Sequence, residues 1–135
     1  NPKMSQPENS IRTYLCAADS LRRGGLGLRF EVHAGGEVLP AFVVRHMQGV
    51  SAFINRCAHR DLELDWSPGE FFDLESKWLI CATHGAHYDP NTGDCQSGPC
   101  NGAGLTALSI IEEAGGIYLV DPRYHTPPNR IEANP

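Results

Sequence analysis

The sequence predicts an all-β sandwich or barrel. Short apolar runs recur about every ten residues, glycine turns separate them, and no long amphipathic helix or internal repeat interrupts the series. Ile11–Cys16 is the first β-rich run, and Asp19-Ser20-Leu21 then predicts a turn or helical turn. Gly24-Gly25-Leu26-Gly27 is a flexible joint. Leu28-Arg29-Phe30-Glu31-Val32-His33 alternates apolar and polar residues, the pattern of a half-buried strand. Gly35-Gly36 is a hairpin signal, and Val38–Arg45 contains the continuous apolar run Ala41-Phe42-Val43-Val44 of a buried strand. Gln48-Gly49 turns the chain into the strand Val50–Asn55. Lys77–Ile80 is a further strand, and Leu105–Ile110 alternates again. Gly115-Gly116 leads into Ile117–Val120, the last hairpin.

The acidic and basic residues bound the partners. Eleven Lys and Arg against 16 Asp and Glu give a formal charge of −5, with no basic patch beyond the pair Arg22-Arg23, which argues against nucleic acid. No apolar run approaches a membrane span, and no cleavable signal is visible. The 135 residues predict one domain, small enough for a metal site to contribute much of its stability. Residues 1–10 are polar and carry two Pro, so they read as a flexible N-terminus, with Asn1-Pro2-Lys3 a remnant ahead of a natural start at Met4. The Pro-rich residues 121–135 read as an extended tail.

The chemistry lies in residues 57–100. Cys57-Ala58-His59 and Cys81-Ala82-Thr83-His84 are two short clips, C-x-H and C-x-x-H, each delivered by a strand: Val50–Asn55 and Lys77–Ile80. The two strands predict a hairpin-like pair with both clips at one end. Soft thiolates and borderline imidazoles in equal number suit an iron–sulfur cluster or zinc. Structural zinc sites usually pair Cys with Cys and His with His, whereas each clip here carries one of each.

C-x-H followed by C-x-x-H-G resembles the Rieske iron–sulfur family. The likeness continues through Gly85, His87-Tyr88-Asp89, the turn Thr92-Gly93 and the pair Gly98-Pro99, and it covers about residues 11–120. It implies a Rieske-like antiparallel β sandwich with a small cluster-binding subdomain at about 56–100. It implies one [2Fe–2S] cluster per chain, with Cys57 and Cys81 on one iron and His59 and His84 on the other. With imidazole in place of two thiolates the cluster is less negative and easier to reduce. The resemblance also implies an exit for one electron at His59 and His84, and docking of redox partners near them. In its terms Gly85 and Ala86 lie beside the cluster and Gly98-Pro99 forms a covering loop. Tyr88 either donates a hydrogen bond to a ligand sulfur or simply packs.

Departures from the family refine the expectation. Relatives of the respiratory complexes carry a loop disulfide where this chain has Leu62 and Thr83, and a Ser where it has Ala86. Both absences predict a potential in the lower part of the Rieske range, about −150 to 0 mV. The spacer 60–80 is long, and its segment Trp66–Phe72 reads as an inserted turn with aromatics packing back on the core; exposed aromatics there would instead mark a docking lip. Asp61, Glu63 and Asp65 read as a solvated strand face, and His33, His46 and His125 as surface residues, with His87 outside the ligand pattern. Cys16 reads as a buried small hydrophobe. Cys95 and Cys100 read as free thiols in a reducing cytosol, although they flank the covering loop closely enough to pair.

The function that follows is a soluble, cytoplasmic one-electron carrier between a reductase and a terminal oxygenase or similar enzyme, not itself an enzyme. A small redox subunit of a larger reductase or oxygenase complex is the alternative, and a zinc-stabilised interaction module is a remoter one. An oxygenase chain would need a second, mononuclear iron domain, for which the 15 residues after the last strand leave no room.

Overall fold

Among the described residues ten strands run in the order β1 (Thr13–Ala17), β2 (Leu28–Ala34), β3 (Glu37–His46), β4 (Gly49–Ile54), β5 (Leu79–Ile80), β6 (His87–Tyr88), β7 (Cys95–Ser97), β8 (Ala107–Leu108), β9 (Ile110–Glu113) and β10 (Gly116–Leu119). A single turn of 3₁₀ helix, Ala18–Ser20, follows β1. The computed structural model describes residues 12–56, 63–65, 67–73, 75–81, 85–98 and 103–124.

The central sheet has the order β2-β3-β4-β8 and is antiparallel throughout. Gly35 and Gly36 close the β2–β3 hairpin with φ of +55° and +86°, the conformation of a type I′ turn, so the hairpin signal in the sequence is met. The run Ala41–Val44 is buried at every position because this sheet has a core on each face. Side chains alternate across a strand, so Ala41 and Val43 point one way and Phe42 and Val44 the other. Ala41, Val43, Ala52 and Ile54 join Leu28, Phe30, Val32, Ile117 and Leu119 in one core. Phe42, Val44 and Phe53 join Leu64, Phe71, Leu79, Cys81, Ala86 and Tyr88 in the other.

The first core is closed by the sheet β1-β10-β9, the second by the small sheet β5-β6-β7. The strands that deliver the two clips therefore do not form a hairpin. β4 pairs with β3 and β8, and β5 pairs with β6. They meet face to face through the second core, because the residues between them fold back as a separate layer.

The alternating run Leu105–Ile110 is also not one strand. β8 ends at Leu108 in the central sheet and β9 begins at Ile110 in the other. Ser109 is the crossing point: its N–H donates to Asp121 Oδ2 at 2.9 Å and its carbonyl accepts from Val120 N at 2.9 Å. Asp121 also accepts from Arg123 N, Nε and Nη2, while Arg123 Nη2 donates to Ala107 O at 2.8 Å. The guanidinium holds the Asp121 carboxyl down at about 2, against a desolvation that opposes it. Arg45 adds a second tie across the molecule, donating to Leu21 O at 2.9 Å and Ala18 O at 2.8 Å and pairing with Glu112.

Candidate metal centre

The second clip sits in a loop closed by its own backbone. β5 ends at Ile80, and Cys81 N donates to Ala86 O at 2.9 Å while Gly85 N donates to Cys81 O at 2.7 Å. Residues 81 and 86 thus continue the β5–β6 pairing. Gly85 has φ +77°, and a Cβ placed there would meet no atom within 4 Å. Backbone conformation, not crowding, calls for glycine at that position.

Cys81 is fully buried and forms no disulfide. It shares the second core with Ala86 and Tyr88, both also fully buried. Tyr88 pairs with Leu79 in β5 on one side and with Cys95 in β7 on the other. Gly98 follows β7 with φ +89°, and a Cβ there would lie 2.8 Å from Ala86 Cα and 3.1 Å from Gly85 O. The backbone at 98 therefore rests directly on the backbone at 85 and 86, which is the place a covering loop requires. Cys81, Ala86 and Tyr88 share the second core, and Gly98 packs on Gly85 and Ala86. Cys57, His59, His84 and Pro99 lie outside the described residues, and among the described residues no three His, Cys, Asp or Glu side chains gather into a metal site.

The first clip leaves the central sheet at β4. Asn55 N donates to Pro40 O at 2.8 Å, and the Asn55 side chain is buried two residues ahead of Cys57. Asn55 Oδ1 accepts from Leu64 N at 2.8 Å, and Nδ2 donates to Asp65 Oδ1 at 3.0 Å. Asp65 is correspondingly buried, not a member of a solvated face. Its second oxygen accepts from Gly69 N at 3.0 Å and faces Arg29 Nε at 3.5 Å. Glu63 keeps to the surface, and Asp61 lies outside the described residues. The spacer aromatics pack inward: Phe71 stacks on Phe42 with centroids 3.9 Å apart, and Phe72 is half-buried. No described aromatic of this segment forms an exposed lip, and Trp66 lies outside the described residues.

Two further expectations change. His46 is buried rather than exposed; its Nδ1 accepts from Gln48 N at 3.1 Å and its Nε2 lies 2.7 Å from Ser51 Oγ. Desolvation by burial lowers its pKa below the ordinary histidine value. Cys95 is disulfide-bonded and not a free thiol; its partner is not among the described residues. Cys16 is free and half-buried, and burial raises its thiol pKa.

Two antiparallel β layers and a small module of short strands and loops, with a buried cysteine that forms no disulfide in the module's core, define a small all-β protein. The family model of the Rieske [2Fe–2S] domain matches residues 12–113, and the chain belongs to that family. The same architecture appears in the ferredoxin of carbazole 1,9a-dioxygenase from Nocardioides aromaticivorans IC177. It is 24% identical, has a TM-score of 0.64, and the match covers 82% of this chain and 98% of that one. The Sphingomonas yanoikuyae B1 ferredoxin is 20% identical at TM-score 0.61, with 82% and 99% covered. The terminal oxygenase of the Nocardioides carbazole 1,9a-dioxygenase is 17% identical at TM-score 0.61, but the match takes in 30% of that chain. No curated protein matches the sequence.

Membership of the family brings one [2Fe–2S] cluster per chain. The described residues fit it. Cys81 is a fully buried soft donor that forms no disulfide, and two backbone hydrogen bonds, Cys81 N to Ala86 O and Gly85 N to Cys81 O, fix the backbone on either side of it.

Proposed function

We propose that this chain is a stand-alone one-electron carrier serving an oxygenase or a similar redox enzyme. The observation that carries the reading is the family match over residues 12–113, together with a fold shared with a ferredoxin. The domain is taken as residues 11–120, with a cluster-binding subdomain at about 56–100. Cys57 and Cys81 hold one iron, and His59 and His84 hold the other. When bound, the cluster accepts and releases a single electron. The chain's own part is to hold the ligands and exclude water. The fully buried side chains of Cys81, Ala86 and Tyr88 keep solvent from one side, and the backbone of Gly98 packs over Gly85 and Ala86. A drier, preformed site lowers the reorganisation that accompanies each change of charge.

Partners dock near His59 and His84, and the carrier works in the cytoplasm between a reductase and its terminal enzyme. Among the described residues no helix is long and apolar enough to cross a membrane. The test is direct. Anaerobically purified protein should contain two irons and two sulfides per chain, give an EPR signal only when reduced, and pass electrons from a flavin reductase to a Rieske oxygenase. One zinc and no sulfide would end this reading. An iron–sulfur protein that reduces no oxygenase would leave the cluster and remove the partner.

A further inference from the structure

We infer that Asn55 and Asp65 form a buried clasp that closes the first ligand loop and so positions Cys57 and His59; the inference rests on the ligand set proposed above. Asn55 is the first residue after β4, held to β3 through Pro40 O, and its side chain is 1% exposed. That one amide gathers the far end of the loop, accepting from Leu64 N at 2.8 Å and donating to Asp65 Oδ1 at 3.0 Å. Asp65 Oδ2 then takes Gly69 N at 3.0 Å, and Gly69 O accepts from Gly27 N at 2.8 Å. Leu64 between them is fully buried in the second core, the same core that holds Cys81. The residues on either side of the first clip, Asn55 before it and Leu64-Asp65 after it, therefore meet at a single buried side chain, and Leu64 is anchored in the core that holds Cys81.

The chemistry of the clasp argues for a role beyond packing. A buried amide and a buried carboxylate are costly wherever their hydrogen bonds are incomplete, and an apolar pair of similar volume would avoid that cost. What an apolar pair cannot do is hold the N–H groups of Leu64 and Gly69, which lie outside any strand. Fixing both ends of a short loop removes most of the conformational freedom that ligand capture would otherwise have to remove. Asn55 and Asp65 are thus positioning residues that act through the clip, and Arg29 beside Asp65 balances its charge.

The test uses the holoprotein and three variants: Asn55→Asp, Asp65→Asn and the reciprocal double substitution. Asn55→Asp sets two carboxylates against each other. Asp65→Asn leaves one of the two donors that Asp65 serves, Asn55 Nδ2 or Gly69 N, without an acceptor. In the double variant the residue at 55 can accept from Leu64 N and from the amide at 65, whose oxygen accepts from Gly69 N, so every hydrogen bond is restored with the charge moved across the pair. Each single variant should bleach at least tenfold faster under a chelator, at a temperature where its far-UV circular dichroism is unchanged, and should alter the EPR g-values of the reduced cluster. The double variant should return to within about twofold of the parent.

Bleaching that is unchanged, bleaching that keeps pace with global unfolding in every variant, or a double variant no better than the singles would each overturn the clasp. If the single variants do not fold, hydrogen exchange of the parent decides. Leu64 and Gly69 amides should exchange as slowly as those of β3, and exchange at the rate of exposed loops would overturn the inference. Failure of the ligand set reads differently: Cys57→Ser and His59→Ala would then keep iron, whatever the clasp variants do.

Discussion

Gly98→Ala should loosen the metal centre more than a methyl group added to any other described glycine. Two costs add. At φ +89° a residue with a Cβ is strained by about 1–2 kcal/mol. The new Cβ would also lie 2.8 Å from Ala86 Cα, 3.1 Å from Gly85 O and 3.3 Å from Ala86 N. These are backbone atoms of the clip loop, so no side-chain rotation relieves the contact, and overpacking of this kind costs about 1–3 kcal/mol.

Gly36→Ala is the matched control. Its φ is +86°, yet a Cβ there meets nothing within 4 Å, so it should show the strain alone. Urea unfolding of the holoprotein, followed by far-UV circular dichroism, measures both. With a slope of about 1–3 kcal/mol per molar, the two variants should differ in midpoint by on the order of 1 M. The visible absorbance of Gly98→Ala should also fade ahead of its far-UV signal, while the two coincide in Gly36→Ala. Equal midpoints for the two variants would refute the argument that the loop after β7 is packed tightly on the clip.

Three more outcomes follow from named contacts. Asp121 is a carboxylate whose folded pKa of about 2 lies below its ordinary value of 3.8, so its contribution is present above pH 4 and is lost as pH falls from there toward 2. Asp121→Asn should cost about 1–2 kcal/mol at pH 7, discounted because Arg123 is solvent-facing, and the gap from the parent should close in unfolding curves taken near pH 2. Ala86→Ser places a hydroxyl in the core that holds Cys81, and a donor aimed at cluster sulfur favours the more negative, reduced form. A differential of about 1–2 kcal/mol would raise the midpoint potential by about 40–90 mV, with Tyr88→Phe lowering it if Tyr88 donates to a ligand sulfur; no shift in voltammetry of either variant would remove hydrogen bonding as the control. Alkylation of denatured protein followed by intact mass should find Cys95 protected until a dithiol reductant is added, and immediate labelling of Cys95 would remove its disulfide.

Much of the fold was legible because its signals are local. The Gly35-Gly36 turn, the alternation of Leu28–His33 and the apolar run Ala41–Val44 each state their structure within a few residues, and all three formed as read. The gathering of Gly85, Ala86, Tyr88 and Gly98 around Cys81 was legible for another reason: the spacing of the clips marked them by resemblance, and the matching fold brings them together. Pairing was harder. Nothing within Leu105–Ile110 says that the chain changes sheets at Ser109, because the cause is Asp121, a dozen residues away.

The misread polar residues share one physical origin. Asp65 and His46 were assigned to solvent because a titratable side chain usually belongs there. Each is buried because a backbone N–H outside the strands needed an acceptor: Gly69 N for Asp65, Gln48 N for His46. Such a demand arises from where turns fall in three dimensions and leaves no periodic trace in the sequence. A trace does exist at Asp65, however, in the turn Ser67-Pro68-Gly69-Glu70, where Glu70 N donates to Ser67 O at 2.9 Å and Gly69 has φ +87°. The closing bond of such a turn uses the N–H of its fourth residue and leaves that of the glycine at the third position to find another acceptor, and here the Asp four residues before that glycine receives it. The surface reading of Asp65 failed because charge was weighed before hydrogen-bond need, and in a domain whose ligand loops carry little regular pairing the need decides.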